Sequence, residues 1–114
     1  MLYKGSCHCG NISFEVEGEL TQVVACNCSI CSRKGALLWA VPRDRLRLLD
    51  SDQDIGTYTF NNHVIAHRFC KICGMHPYAE NTSPDEQSAY INVRCLEGIE
   101  TASFPVLEFD GRSM

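Results

Sequence analysis

The chain has no apolar run approaching the ~18 residues that a membrane-spanning helix needs. It has no excess of positive charge: the formal net charge is -4, which argues against the broad cationic face of a nucleic-acid binder. It has no internal repeat, no low-complexity stretch and no linker-like segment. No segment keeps a 3.6-residue apolar period for three helical turns. Met1-Leu2-Tyr3-Lys4-Gly5 runs straight toward the first cysteines without an apolar leader core. That start points to the cytoplasm, where thiols stay reduced. What remains is 114 residues, 45% hydrophobic and 21% charged, a composition that fits one globular domain over residues 1–114. A domain of this size buries a modest fraction of its surface, so a metal staple would help it.

The patterning is mainly β. From Asn11 to Glu17, Ile12, Phe14 and Val16 alternate with Ser13, Glu15 and Glu17, as in a half-buried strand. Val23-Val24-Ala25, Ala36 to Val41, Arg45 to Leu49, Gly56 to Phe60, Val64 to Phe69, Tyr90 to Val93 and Pro105 to Phe109 are further strand candidates. Turn signals separate them at Glu17-Gly18-Glu19, Asp50-Ser51-Asp52, Asn61-Asn62, Asn81-Thr82-Ser83-Pro84-Asp85 and Asp110-Gly111. The expectation is about seven to nine short strands in a small sandwich or folded sheet, with Gly111-Arg112-Ser113-Met114 as a frayed end.

Against these absences stand eight cysteines. Seven of them fall into three clusters: Cys7-His8-Cys9, Cys26-Asn27-Cys28-Ser29-Ile30-Cys31 and Cys70-Lys71-Ile72-Cys73. A disulfide framework is the alternative for an even count. Cysteines one residue apart fit disulfide geometry poorly, and a reducing compartment favours metal. A structural zinc site takes four ligands; a catalytic one takes about three and keeps a position open. If clusters stay whole, only the two pairs sum to four. Cys7, Cys9, Cys70 and Cys73 then form a closed site, and Cys26, Cys28 and Cys31 a three-thiolate site. Gly10 and Gly74 each follow a pair, as expected where the chain must turn with positive φ so that amide N–H groups meet the sulfurs.

The triplet can be completed by the protein or left open. His8, His63, His67, His76 and Cys95 are the candidate fourth ligands. His8 sits between two proposed ligands and should point away from their metal. Cys95 shares parity with Ile91 and Val93 and reads as an inert core thiol. An open three-thiolate zinc is soft and suits an incoming thiol, which would be held as thiolate for attack on a carbonyl carbon. Arg43, Arg45 and Arg47 read as a solvated face. Arg33 or Lys34, just after the triplet, could meet an anionic ligand.

These segments resemble a known family. Gly5-Ser6-Cys7-His8-Cys9-Gly10-Asn11-Ile12-Ser13-Phe14, Cys26-Asn27-Cys28-Ser29-Ile30-Cys31, Phe69-Cys70-Lys71-Ile72-Cys73-Gly74 and Ile91-Asn92-Val93-Arg94-Cys95-Leu96 occur in the order seen in glutathione-dependent formaldehyde-activating enzymes, the CENP-V/GFA domain. The resemblance runs from about Gly5 to Phe109. It implies an all-β, β-tent fold with two zinc ions, one structural on Cys7, Cys9, Cys70 and Cys73 and one catalytic on Cys26, Cys28 and Cys31. It also implies a carbon–sulfur lyase reaction run in reverse, joining glutathione to formaldehyde. Arg33, Lys34 and Arg94 are the charge-based choices for the carboxylates of glutathione. The basic extensions of chromosome-associated members are absent from this sequence. The competing reading is a non-catalytic, zinc-stabilised module that presents a surface to a protein partner; a third is zinc storage or thiol sensing by the triplet.

Overall fold

The computed structural model describes residues 1–49, 54–60, 63–83 and 87–113. The turns expected at Asp50-Ser51-Asp52 and at Asn61-Asn62 lie outside the described residues, as do Pro84 and Asp85 of the turn expected at Asn81-Thr82-Ser83-Pro84-Asp85. The fold is mainly β, as the patterning predicts. The strands are β1 (Leu2–Ser6), β2 (Ser13–Glu17), β3 (Val23–Cys26), β4 (Leu38–Pro42), β5 (Leu46–Leu48), β6 (Ile55–Tyr58), β7 (Ile65–Cys70), β8 (Tyr78–Asn81), β9 (Ser88–Asn92) and β10 (Val106–Phe109). The only α-helix among the described residues is α1 (Ser29–Lys34). Two sheets form, a three-stranded one in the order β1-β2-β5 and a seven-stranded one in the order β10-β3-β4-β9-β8-β7-β6.

The alternation in β2 is realised: Phe14 and Val16 are fully buried while Glu17 is exposed. Together with Leu46 of β5 they share one core with Val23, Trp39, Val41 and Ile91 of the larger sheet. Full burial of such side chains contributes roughly 1.5–3 kcal/mol each. Trp39 also receives Tyr3 edge-on, with ring centroids 5.4 Å apart. Arg45 and Arg47 are exposed, Arg47 pairing with Glu15 at 2.6 Å, whereas Arg43 is half-buried and pairs with Glu80 at 2.9 Å.

Two strands have no clear signature in the sequence. In β1 only Gly5 is buried, so apolar alternation is absent, and the strand exists through its antiparallel register with β2 from Leu2↔Glu17 to Ser6↔Ser13. The four residues of β8 lie between β7 and β9 and take their conformation from both ladders. The expected fraying is corrected for Gly111, Arg112 and Ser113, while Met114 lies outside the described residues. Gly111–Ser113 forms a 3-10 turn, held by the Arg112 N–H donating to Asn27 Oδ1 at 2.9 Å and the Ser113 hydroxyl donating to Asp110 Oδ2 at 2.6 Å.

Candidate metal centres

The structure brings the cysteines together in the partition that counting suggests. The sulfurs of Cys7, Cys9, Cys70 and Cys73 all lie within 4.8 Å of one another, and so do those of Cys26, Cys28 and Cys31.

The four-cysteine group joins the two sheets. Cys7 and Cys9 occupy the turn between β1 and β2; Cys70 ends β7 and Cys73 lies in the following turn. Both turns use a left-handed glycine, Gly10 at φ 83° and Gly74 at φ 81°, a conformation that costs other residues steric strain. The resulting knuckles aim amides at sulfur: Ile12 N–H donates to Cys7 Sγ at 3.3 Å, and the Ile72 and Cys73 N–H groups donate to Cys70 Sγ at 3.4 Å. Cys7 and Cys70 are buried with Ile12 in a small second core. The imidazole-bearing His8 is exposed, as its place between Cys7 and Cys9 suggests.

This donor set fits a tetrahedral thiophilic cation. Cys9 Sγ lies 3.6 Å from both Cys7 Sγ and Cys70 Sγ, while a tetrahedron with Zn–S bonds of 2.3 Å has edges of about 3.8 Å. Without a cation the four thiols compete for charge. Backbone N–H groups at Met75 and Cys9 draw Cys73 down to about 6. The Asn11 N–H acts to lower Cys9, but burial and hydrogen bonding to the other three thiols push it up to about 12. A bound cation removes that competition.

The three-cysteine group is built at the end of β3. Cys26 is the last residue of that strand, Cys28 is the N-cap of α1, and Cys31 lies on the buried side of the helix. The Cys28 N–H donates to Cys26 Sγ at 3.5 Å. Burial works to raise the Cys28 thiol, yet the Cys31 backbone N–H, the Cys31 and Cys26 thiols and the Ile30 N–H together lower it. Burial, with the negative neighbours Cys28 and Cys26, pushes Cys31 up to about 12. The three soft sulfurs suit the same class of metal.

None of the expected fourth ligands joins this group among the described residues. His63 holds Thr59 Oγ1 at 2.7 Å through Nδ1. His67 is buried and stacked on Phe60, with ring centroids 5.6 Å apart, and burial together with the charge of Lys34 lowers it to about 4. His76 stacks on Phe69 at 5.6 Å. Cys95 lies in a 3-10 turn (Val93–Cys95) rather than continuing β9, and burial pushes its thiol up to about 11, in keeping with an inert thiol.

The triplet has neighbours that sequence reading did not anticipate. Phe109 of β10 pairs with Cys26 in a parallel register, and the chain then folds over the sulfurs. Asn27 Nδ2 donates to Asp110 Oδ1 at 2.9 Å. A Cβ at Gly111 would stand 2.6 Å from Cys26 Sγ and 3.2 Å from Cys28 Cβ. The first of these contacts is about 1 Å too close for carbon and sulfur, and the second is tight by a few tenths of an ångström. The Gly111→Ala variant is therefore expected to keep the fold and the four-cysteine metal while losing the triplet metal. If both groups hold a metal, the metal content of the folded protein should fall by about one equivalent; an undiminished content would contradict this placement of the tail.

The comparisons with known proteins give the family and the fold. The family model described as glutathione-dependent formaldehyde-activating enzyme matches residues 2–109. The chain belongs to this family. The glutathione-dependent formaldehyde-activating match includes all seven clustered cysteines and stops just before Asp110 and Gly111. A crystal structure of a Rhodobacter sphaeroides protein, a structural-genomics target, has the same fold, with a TM-score of 0.79 and 28% identity over 91% of this chain and 99% of that one.

Proposed function

We propose that this family member binds two zinc ions over a single domain, residues 1–114, and catalyses reversible addition of a glutathione-like thiol to formaldehyde or a related small aldehyde. The observation that carries the reading is the contrast between the centres: four mutually close sulfurs in one, and three in the other with no fourth His, Cys, Asp or Glu among the described residues. Cys7, Cys9, Cys70 and Cys73 act as the structural staple; Cys26, Cys28 and Cys31 hold the catalytic metal. Zinc at the triplet would supply Lewis acidity and a vacant position at which a thiol loses its proton.

The chain's own residues prepare that position. Their part is to hold the three sulfurs within 4.8 Å of one another. The start of α1 directs N–H groups toward Cys28, favouring its thiolate. Asn27, Asp110 and Gly111 hold the C-terminal turn against Cys26. In the reaction the thiol sulfur forms a bond to the carbonyl carbon, the carbon–oxygen π pair moves to oxygen, and the proton lost by the thiol ends on that oxygen. The reverse step is carbon–sulfur lysis. The cysteines must stay reduced to bind metal, which suits a cytoplasmic location. Among the described residues no helix is long and apolar enough to cross a membrane.

The test is X-ray absorption at the zinc edge, with and without glutathione. Addition of the thiol is expected to raise the mean sulfur count per zinc by about one half, because only one of two sites gains a ligand. A spectrum unchanged by thiol, with nitrogen completing the second site, would instead support the non-catalytic protein-binding module.

A further inference from the structure

The strand β10 closes one end of the seven-stranded sheet and pairs, among the described residues, with β3 alone. All four of its residues are exposed, which holds for no other described strand. Three of the four are apolar: Val106, Leu107 and Phe109 are 49%, 51% and 45% exposed. An edge of this kind is a template for another strand unless something guards it. The usual guards are missing here. The register with β3 runs from Val106↔Val23 to Phe109↔Cys26 without a bulge, and the strand contains no proline and no lysine. Glu108 is its one charge.

The hydrogen bonds to β3 show which main-chain groups stay on the outer edge. Val23 N–H donates to the Pro105 carbonyl at 3.0 Å, and Asn27 N–H to the Phe109 carbonyl at 3.2 Å. Successive residues address opposite edges. Pro105, Leu107 and Phe109 therefore face β3, while Val106 and Glu108 turn N–H and C=O outward. Pro105 has no N–H, but it belongs to the inner set and costs the outer edge no donor. The side chains alternate as well. Leu107 and Phe109 share a face with Val24 and Cys26; Val106 and Glu108 share the other with Val23 and Ala25.

We propose that β10 pairs antiparallel with β10 of a second copy of this chain, about a two-fold axis at Leu107, joining two seven-stranded sheets into one. The register follows from the strand's own groups. An axis at Leu107 sets Val106 opposite the partner's Glu108, and Glu108 opposite the partner's Val106. Every outward N–H on both strands then meets a carbonyl. The same axis sets Leu107 against the partner's Leu107, and Phe109 against the partner's Pro105, as one apolar row. An axis at Glu108 would place two carboxylates directly opposite, which is destabilising. An axis at Val106 would set Glu108 against the partner's Phe104, whose N–H is already given to the Thr101 carbonyl. Matched main-chain groups, a self-matching apolar row and a charge that avoids itself favour a second copy over an unrelated strand. Phe109 neighbours Cys26 in the ladder and Gly111 in space, so the interface borders the three-cysteine group. The contact is small. About six residues a side fall well short of the ~20–30 of a standard interface, so the dimer is expected to be weak, with a Kd on the order of 100 μM.

Sedimentation equilibrium of the zinc-loaded protein from about 10 μM to about 1 mM is expected to show monomer passing to dimer, about four fifths dimeric at the upper end. Over the same range, residue-resolved amide exchange at Val106 and Glu108 is expected to slow about fourfold, because only the monomer leaves them unpaired. Leu107 and Phe109 are bonded to β3 in both states and should change little. Glu108→Pro removes an outward N–H and leaves the ladder with β3 intact; Leu107→Lys sets two ammonium groups opposite each other. Both variants are expected to melt as the parent does and to stay monomeric throughout the range, and Leu107→Ile to dimerise like the parent. A parent chain that is still monomeric at the upper concentration would overturn the proposal, even if the edge accepts a strand of another protein. So would a dimer that survives in both variants, or one that leaves exchange at Val106 and Glu108 unchanged, because the copies would then meet through another surface.

Discussion

Replacement of Cys70 by serine is expected to leave no stably folded protein. Cys70 is fully buried, its sulfur accepts two backbone N–H groups, and it lies 3.6 Å from Cys9 Sγ. The proposed structural zinc links the β1–β2 turn of one sheet to the end of β7 in the other. Structural zinc sites contribute on the order of 10–16 kcal/mol of apparent binding free energy, against a total domain stability of about 5–15 kcal/mol. Losing one of four thiolates therefore removes an amount comparable to the whole stability of the fold. Soluble yield, near-ultraviolet circular dichroism and a cooperative thermal transition are the measurements. A Cys70→Ser protein that melts cooperatively near the parent's Tm would show that the sheets hold together without this centre. Chelation should reproduce the effect in the unaltered chain, more slowly, because Cys7 and Cys70 are buried.

The second large effect is expected at Cys28, with the opposite separation of stability from function. Cys28 is partly exposed and caps a helix of six residues that follows β3. Its replacement by serine leaves the main core and the four-cysteine centre untouched. Serine keeps the cap geometry, since Ser is itself a favoured N-cap residue. The cost falls on the metal: changing groups that only orient a ligand weakens a site about 10–100-fold, and loss of a ligand should exceed that. Cys28→Ser is expected to melt within a few degrees of the parent, to retain one zinc, and to lose thiol–aldehyde adduct formation above the uncatalysed rate. A folded variant with one zinc and full turnover would move the chemistry away from the triplet.

The cysteine centres were legible because their ligands come in local clusters. Spacings of one and two residues place thiols on a single turn, and Gly10 and Gly74 mark the positive φ that such turns need. The strand alternation around Phe14 and Val16 was legible for a similar reason, since a period of two reports one buried face. Where the determinants were distant, reading along the chain failed. Gly111 shows no sign in sequence of touching Cys26, because the contact depends on the parallel pairing of β10 with β3 across some eighty intervening residues. The strand β1 lacks apolar alternation and takes its ladder from β2. Sequence could propose Arg33, Lys34 and Arg94 as anion contacts, but their charges are equivalent until a surface is built. Folding turns Arg33 onto its own helix and half-buries Lys34.

By itself, the sequence determined a mainly β chain with three local cysteine clusters, two pairs and a triplet, because strand periodicity and short-range ligand spacing are encoded within a few neighbouring residues. Only the tertiary structure decided that Cys7 and Cys9 meet Cys70 and Cys73 across two sheets, that no histidine among the described residues completes the triplet, and that Gly111 stands beside it. Those facts depend on which distant strands pair. That pairing is set by burial of the whole core, not by any local pattern.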